Sequence, residues 1–294
     1  MSRKFAIVAL LILMNATCLL GQDAQSSHSY WLPMHLNPSL TGTSELSLGY
    51  FNYRIQYPEI AYPYISSRFA IDYAMHQVPS AIGFIVTSER SGAGNLNRTD
   101  IGATYAYFFN VNKEWEIRTG VKASAVFQST QFSQYLFGDQ ISSDGTFSGN
   151  TSENLSAGEN LLYPDFSLGA LAHNNAAFFG LAVDHITTPN QSFFGGDSRL
   201  PRKYTFHGGY KFSYINANGR IMKGLKEFSI TPMGLFQIQG PAKKLELGLE
   251  LLYEPILIGF WYRGIPIGNN QAGFFNQEPY KASKAGWPVD WVFS

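Results

Sequence analysis

From about residue 46 to residue 263 the chain alternates apolar and polar positions with a period of two. Successive side chains of a strand point to opposite sides, so this alternation predicts strands with two unlike faces. Four segments carry it most plainly. In 99–111 one face holds Ile101, Ala103, Tyr105, Tyr107, Phe109 and Val111. In 115–128 the residues Trp115, Ile117, Val121, Ala123, Ala125 and Phe127 alternate with Glu116, Arg118, Lys122, Ser124 and Gln128. In 204–215 Tyr204, Phe206, Tyr210, Phe212 and Tyr214 oppose Thr205, His207, Lys211 and Ser213. In 244–253 Leu245, Leu247, Leu249, Leu251 and Tyr253 oppose Glu246, Gly248 and Glu250. Charges keep to the polar face. Weaker strands fit 46–54, 67–75, 79–88, 165–173, 176–185, 226–238 and 256–263, separated by turn signals at 110–113, 173–175, 216–219 and 241–243.

The length of these strands decides between solvents. Strands of soluble proteins average about five or six residues, whereas a strand that crosses a bilayer needs about 9–11. Most segments here reach the longer figure. Lipid offers no hydrogen bonds, so spanning strands must close on themselves. The pattern therefore predicts an all-β fold, an antiparallel transmembrane β-barrel of about 12–14 strands. Trp115, Tyr204 and Tyr253 stand near strand ends, where interfacial aromatic girdles form. A secreted β-sandwich or a lipocalin-like barrel also alternates, but the apolar faces here are longer and more continuous. The irregular stretch 137–162, rich in Ser, Gly and Asn, reads as one large rim loop. With no internal repeat, residues 22–294 form a single barrel domain.

Arg3 and Lys4 precede an apolar run over 5–14 that is too short to span a bilayer, and Gly21 precedes Gln22. This predicts a secretory signal peptide over 1–21, cleaved before Gln22. A lipoprotein signal acylated at Cys18 is the rival, although Asn15-Ala16-Thr17 is a poor approach to a lipidated cysteine. An exported chain then loses its one Cys, so neither a disulfide scaffold nor a Cys-ligated zinc domain is expected.

Composition now acquires a reason. Charged residues are only 14%, against about 25% in ordinary soluble domains, and aromatics reach 15%. A face covered by lipid needs few charges. Lys+Arg and Asp+Glu are 21 each, which leaves no basic stripe for nucleic acid. Removing Arg3 and Lys4 with the signal leaves the mature chain at net −2.

Candidate chemistry is thin. The six His (His28, His35, His76, His173, His185 and His207) have no zinc-site spacing. Asp139 and Asp144 miss the alternating ligands and terminal Glu of a calcium loop, so a turn with Asx character is the simpler reading. There is no Gly-x-Ser-x-Gly elbow, and Gly92-Ala93-Gly94 lacks the rest of a dinucleotide loop. Glu116, Arg118 and Lys122 read as lumen-facing residues that pair with each other. The expectation is no enzyme, no metal and no cofactor.

Ordered phrases along the chain resemble the PorP/SprF family, outer-membrane components of the Bacteroidetes type IX secretion system. Tyr30-Trp31 followed by Asn37-Pro38-Ser39 and Gly42 is similar to its N-terminal opening, and Tyr53-Arg54-x-Gln56 to its next segment. Phe137-x-Asp139-Gln140, then Pro164-Asp165 with Gly169, then Gly180 through His185 follow in order. The fullest match is Leu200-Pro201-Arg202-Lys203-Tyr204 with His207, and Trp261-Tyr262-Arg263 completes the series. After Arg263 the likeness breaks: 268–286 is loop-like, and only Val289, Trp291 and Phe293 alternate. A truncated or frame-shifted end and a divergent short last strand both fit this.

The resemblance implies a non-enzymatic barrel of the outer membrane, set in lipid and working in type IX secretion and gliding. Its implied partners are periplasmic ring and peptidoglycan-linked components and a secreted adhesin held at the surface. Asn37-Pro38 and Leu200-Pro201-Arg202-Lys203 are expected at strand–turn boundaries on a partner-facing rim; the alternative is that Pro and Gly shape turns and Arg202 ties a loop down. An outer-membrane diffusion channel for small solutes is the second expectation, because Glu116, Arg118, Lys122, Lys211, Glu246 and Glu250 could line a lumen.

Overall fold

The computed structural model describes residue 23 and residues 29–44, 47–75, 77–92, 94–132, 137–141, 146–147, 160–193, 195–214, 228–253, 256–264 and 292–293. The expected signal peptide and most of the 137–162 loop lie outside the described residues. What is described is one antiparallel sheet. Its strands are β1 (Gly49–Gln56), β2 (Tyr64–Met75), β3 (Ser80–Ser91), β4 (Leu96–Asn110), β5 (Glu116–Ser129), β6 (Asn160–His173) and β7 (Ala177–Asp184). There follow β8 (Lys203–Tyr210), β9 (Phe212–Tyr214), β10 (Phe228–Gln239), β11 (Ala242–Tyr253), β12 (Ile256–Arg263) and β13 (Val292–Phe293). Each pairs with its chain neighbour along a path of twelve strands, β9 standing off the path beside β10.

The segments read as strands from their alternation are all strands, with ends shifted by a few residues. One splits: the segment 204–215 becomes β8 and β9, interrupted at Lys211. Opposite the break stands Pro232 of β10, flanked by Met233↔Gly209 and Ile230↔Phe212. Proline has no N–H to give a ladder. Among the described residues the sheet is not closed: β1 pairs with β2 alone, and β12 meets β13 only at Ile258↔Phe293 and Gly259↔Val292. Also among the described residues, no helix is long and apolar enough to cross a membrane.

The two faces sort as the alternation predicts. Outward stand Phe84, Ile101, Tyr105, Val121, Phe127, Leu168, Phe206 and Leu247, all exposed. Inward stand Arg68, Asp72, Asp100, Thr104, Arg118, Ser167, Thr205, His207 and Glu246, all buried. A water-soluble sandwich would reverse this, and burying the charges instead is the arrangement of a lipid-facing barrel.

The two ends differ as well. The connections 76–79, 111–115, 174–176 and 254–255 are short and lie at one end, with 215–227 the longer exception. The opposite end carries 57–63, 92–95, 240–241 and two long connections, 130–159 and 185–202. The molecule thus has a short-turn end and a long-loop end.

Candidate functional site: the N-terminal segment in the lumen

What buries the inward charges is the chain's own beginning. Residues 29–44 run as short helical turns, Ser29–Trp31, Pro33–Leu36 and Pro38–Leu40. Two of them start with Pro, whose fixed φ suits a first helical position and whose missing N–H is not needed there. Between them Asn37 is extended, with φ −157°. Its Oδ1 accepts from the Ser39 backbone N–H at 3.0 Å and from Ser39 Oγ at 2.7 Å.

That cap fixes which way the amide points. Asn37 Nδ2 faces the wall, donating toward Ala170 O (3.1 Å) of β6, Leu181 O (3.0 Å) of β7 and His207 Nε2 (3.0 Å) of β8. Asn37 is 0% exposed. The wall is cut back to admit it. Gly120 and Gly169 are direct cross-strand partners on the inner face of β5 and β6. A Cβ on Gly169 would overlap Asn37 Oδ1, and one on Gly120 would overlap the Pro38 carbonyl group. Gly83 of β3 opens the same kind of space for Met34.

Below Asn37, Arg118 gathers the backbone of the segment. Its Nε donates to Ser39 O (3.2 Å), and its Nη2 to Thr41 O (2.7 Å) and Gly42 O (2.9 Å). Its Nη1 binds Glu116 at 2.9 Å, and its guanidinium lies 4.3 Å from the Phe108 ring centre. Thr41 Oγ1 reaches Thr104 of β4 at 2.9 Å. Gly42, at φ +64°, turns the chain, and its N–H donates to Asp72 Oδ2 at 2.7 Å. Leu48 N–H takes Asp72 Oδ1 at 3.1 Å, just before β1 begins. On the other side Tyr30 donates its hydroxyl to Gly234 O of β10 at 2.6 Å, and Lys244 of β11 binds Glu246 at 2.7 Å and reaches Ser29 Oγ at 3.3 Å. One segment thus touches strands from β2 to β11. The sheet is curled around it, and the segment is a plug.

At the long-loop end Asp23 is clamped. Its carboxylate meets His185 Nε2 at 2.7 Å, Lys203 Nζ at 3.0 Å and Arg98 Nη1 at 3.3 Å. His185 Nδ1 meets Asp165 Oδ2, also at 2.7 Å. Burial alone would raise the Asp23 pKa, but the cations His185, Lys203 and Arg98 outweigh it and hold the carboxyl well below the usual range. Burial likewise works against charge on His185, yet the charge of Asp23 and the hydrogen bond that His185 donates to Asp165 push its pKa up to about 9. An imidazolium donating to two carboxylates results. His35, by contrast, is pushed down to about 3 by burial and then by Lys122 and Arg68, so it stays neutral, with Nε2 at 3.1 Å from Thr87 Oγ1.

Between plug and wall a cavity of about 140 Å³ remains, lined by residues such as His35, Arg98, Asp100, Lys122 and Ser167. That is room for a few waters, each with about 30 Å³ of liquid volume. Among the described residues His35 Nδ1, Arg98 Nε, Asp100 Oδ1 and Ser167 Oγ have no protein partner, and water there would satisfy them. Among the described residues no group of His, Cys, Asp and Glu could hold a metal ion.

With this geometry in place, the comparison with known families is decisive. The model described as "Type IX secretion system membrane protein PorP/SprF" matches residues 19–282. The chain belongs to the PorP/SprF family. No curated protein and no solved structure matches it. The match runs on to residue 282, past Arg263 where the ordered phrases end, and stops before β13.

The family-motif residues separate into two groups. Asn37, Pro38, Gly42, Asp165, His185, Lys203 and His207 meet in the plug and its clamp. Asn37-Pro38 is not on a rim, because its carbonyl-rich surroundings and the glycine gap lie inside the sheet. Leu200-Pro201-Arg202-Lys203 does stand at a strand–turn boundary, entering β8, and Arg202 Nε ties the loop to Ile186 O at 3.1 Å. Arg54 lies in β1, Pro164 is exposed on β6, and Asp139 and Gln140 form a helical turn in which Gln140 Oε1 accepts from Phe137 N–H. Trp261 and Tyr262 lie in β12, and Arg263 binds Glu246 at 2.8 Å.

Lumen pairing was legible for Glu116 and Arg118, whereas Lys122 pairs with Asp100 at 2.8 Å. Missed from sequence were Asp23, Asp72, the three carbonyls bound by Arg118, and the glycine gap. Small residues at Gly120 and Gly169 on otherwise polar faces were the one signal available.

Proposed function

We propose that this PorP/SprF protein is a non-enzymatic barrel of the outer membrane that serves the type IX secretion and gliding apparatus as a scaffold. The observation that carries the reading is the buried, hydrogen-bonded plug inside a sheet whose outside is apolar and aromatic. Among the described residues the plug fills the lumen down to a cavity of about 140 Å³, which argues against a transport path. Its two ends are then left to act as surfaces, the short turns toward periplasmic ring and peptidoglycan-linked components and the long loops toward a secreted adhesin. The exposed rows of Phe, Tyr, Leu and Ile suit lipid. A diffusion channel is the weaker reading, since Glu116, Arg118, Lys122 and Glu246, four of the inward charges that suggested it, are held in ion pairs with each other or with Asp100, Lys244 and Arg263, and Arg118 also binds the plug. Deletion of the gene, followed by assays of protein export and surface spreading, tests the proposal. Loss of either supports it, and normal export with normal spreading contradicts it.

A further inference from the structure

The plug has a direction. At its far end Gly42 donates to Asp72 and lies against Ala74 and Ala81, where β2 passes into β3 at the short-turn end. In its middle Asn37 meets Ala170 and Leu181, a cross-strand pair inside the β6–β7 ladder. At its beginning every partner of Asp23 belongs to the long-loop end. Lys203 is the first residue of β8, Gln239 the last of β10, and His185 the first beyond β7; Arg98 stands near the start of β4. Gln239 Oε1 also accepts from the Asp23 backbone N–H at 3.0 Å, so the main chain as well as the carboxylate is held there.

From this geometry we infer that the chain is threaded through its own barrel, so that its mature N-terminus is displayed on the long-loop face, at the cell surface. The inference rests on the outer-membrane reading above, in which short turns face the periplasm and long loops face outward. Export delivers the N-terminus to the periplasm. To reach the position of Asp23 the segment must lie along the inner face while the sheet curls, because a wall packed against Asn37 and bound through Arg118 to the carbonyls of Ser39, Thr41 and Gly42 leaves no passage. Asp23, and with it the start that the expected cleavage before Gln22 would leave, therefore lies on the outer side beside His185, at the edge of the 185–202 connection.

The test is a short epitope inserted between Gln22 and Asp23 of the full chain, probed by antibody on intact cells. The same epitope is placed at Asp197, exposed in the 185–202 connection, and at Asn175, exposed in the 174–176 turn. The inference expects surface signal at the N-terminal site and at 197, and signal at 175 only after the outer membrane is permeabilised. Signal at 197 without signal at the N-terminal site, unless permeabilised, overturns the inference while leaving the outer-membrane reading intact. A reversed or unprotected pattern at 197 and 175 overturns both. An epitope missing from the mature band places cleavage beyond Asp23, and that overturns the inference too.

Discussion

Gly83 and Phe84 are neighbours in β3, yet they meet different worlds. Phe84 points outward and is 44% exposed, between Ile71 of β2 and Ala103 of β4. Gly83 points inward, where Met34 of the plug occupies the space a side chain would fill. The same contrast repeats around the sheet. Outside, large apolar and aromatic residues lie bare. Inside, charged residues are buried, each answered by an opposite charge, a plug carbonyl or a plug N–H. The outside is specified by a broad rule, apolar at every second position. The inside is specified by individual partners. It follows that the outer face tolerates one apolar residue for another, while the inner face does not tolerate the loss of a partner.

The sharpest way to break the inner side of this contrast is Arg118→Met. It strands three plug carbonyls in a buried site and leaves half-buried Glu116 with His173 as its partner, and should cost about 3–5 kcal/mol. Urea unfolding of protein refolded into lipid vesicles would measure this, with the plug becoming protease-sensitive first. On the outer side, Phe84→Arg should cost about 2–4 kcal/mol if Phe84 faces the bilayer midplane, whereas Phe109→Arg at the end of β4 should cost about 0–1. Equal penalties at both positions would argue against a membrane slab around the sheet. Asn37→Ala removes the amide that joins plug to β6, β7 and β8 and should cost about 2–3 kcal/mol. Asn37→Asp should be no better, because a carboxylate would face Ala170 O and Leu181 O.

A smaller effect reports on the clamp through pH. His185 has a pKa raised from 6.5 to about 9, so its contribution is fully present below pH 6.5 and is lost as pH rises through about 9. Asp23 has a lowered pKa, so its contribution is present above pH 3.8 and is lost as pH falls through its native value. With Asp165, Lys203 and Arg98 completing the site, the clamp should be tightest between about pH 4 and 6.5. Protection of the plug's beginning from proteolysis, scanned against pH, should fall above pH 7, and His185→Gln should flatten that alkaline limb. The smallest effect belongs to the exposed pair Arg199–Asp197, whose removal should leave stability unchanged by urea unfolding.

What was legible in the sequence follows the same division. The strands and their faces could be read because period-two alternation is local, and each strand from β1 to β12 announces its own outer row. The split between β8 and β9 was less visible, since the alternation runs on through Lys211 and the break answers a proline on another strand. The plug was not legible as such. Asn37-Pro38 carries the signals of a turn, and nothing near it in sequence says that its partners are Ala170, Leu181 and His207. Asp165, His185 and Lys203 were singled out by likeness to the family, but Asp23, which draws His185 and Lys203 together, lies in a stretch that reads as the edge of a signal peptide. Contacts made through space by a segment without regular periodicity leave no periodic trace.

The account turns on a closed lumen, and planar-bilayer conductance of the purified full-length protein measures that directly. The plug predicts insertion without stable currents for the native chain, and brief flickering openings for the loosened Arg118→Met variant. Long-lived open-pore currents from the native protein, no smaller than those of the variant, would contradict it.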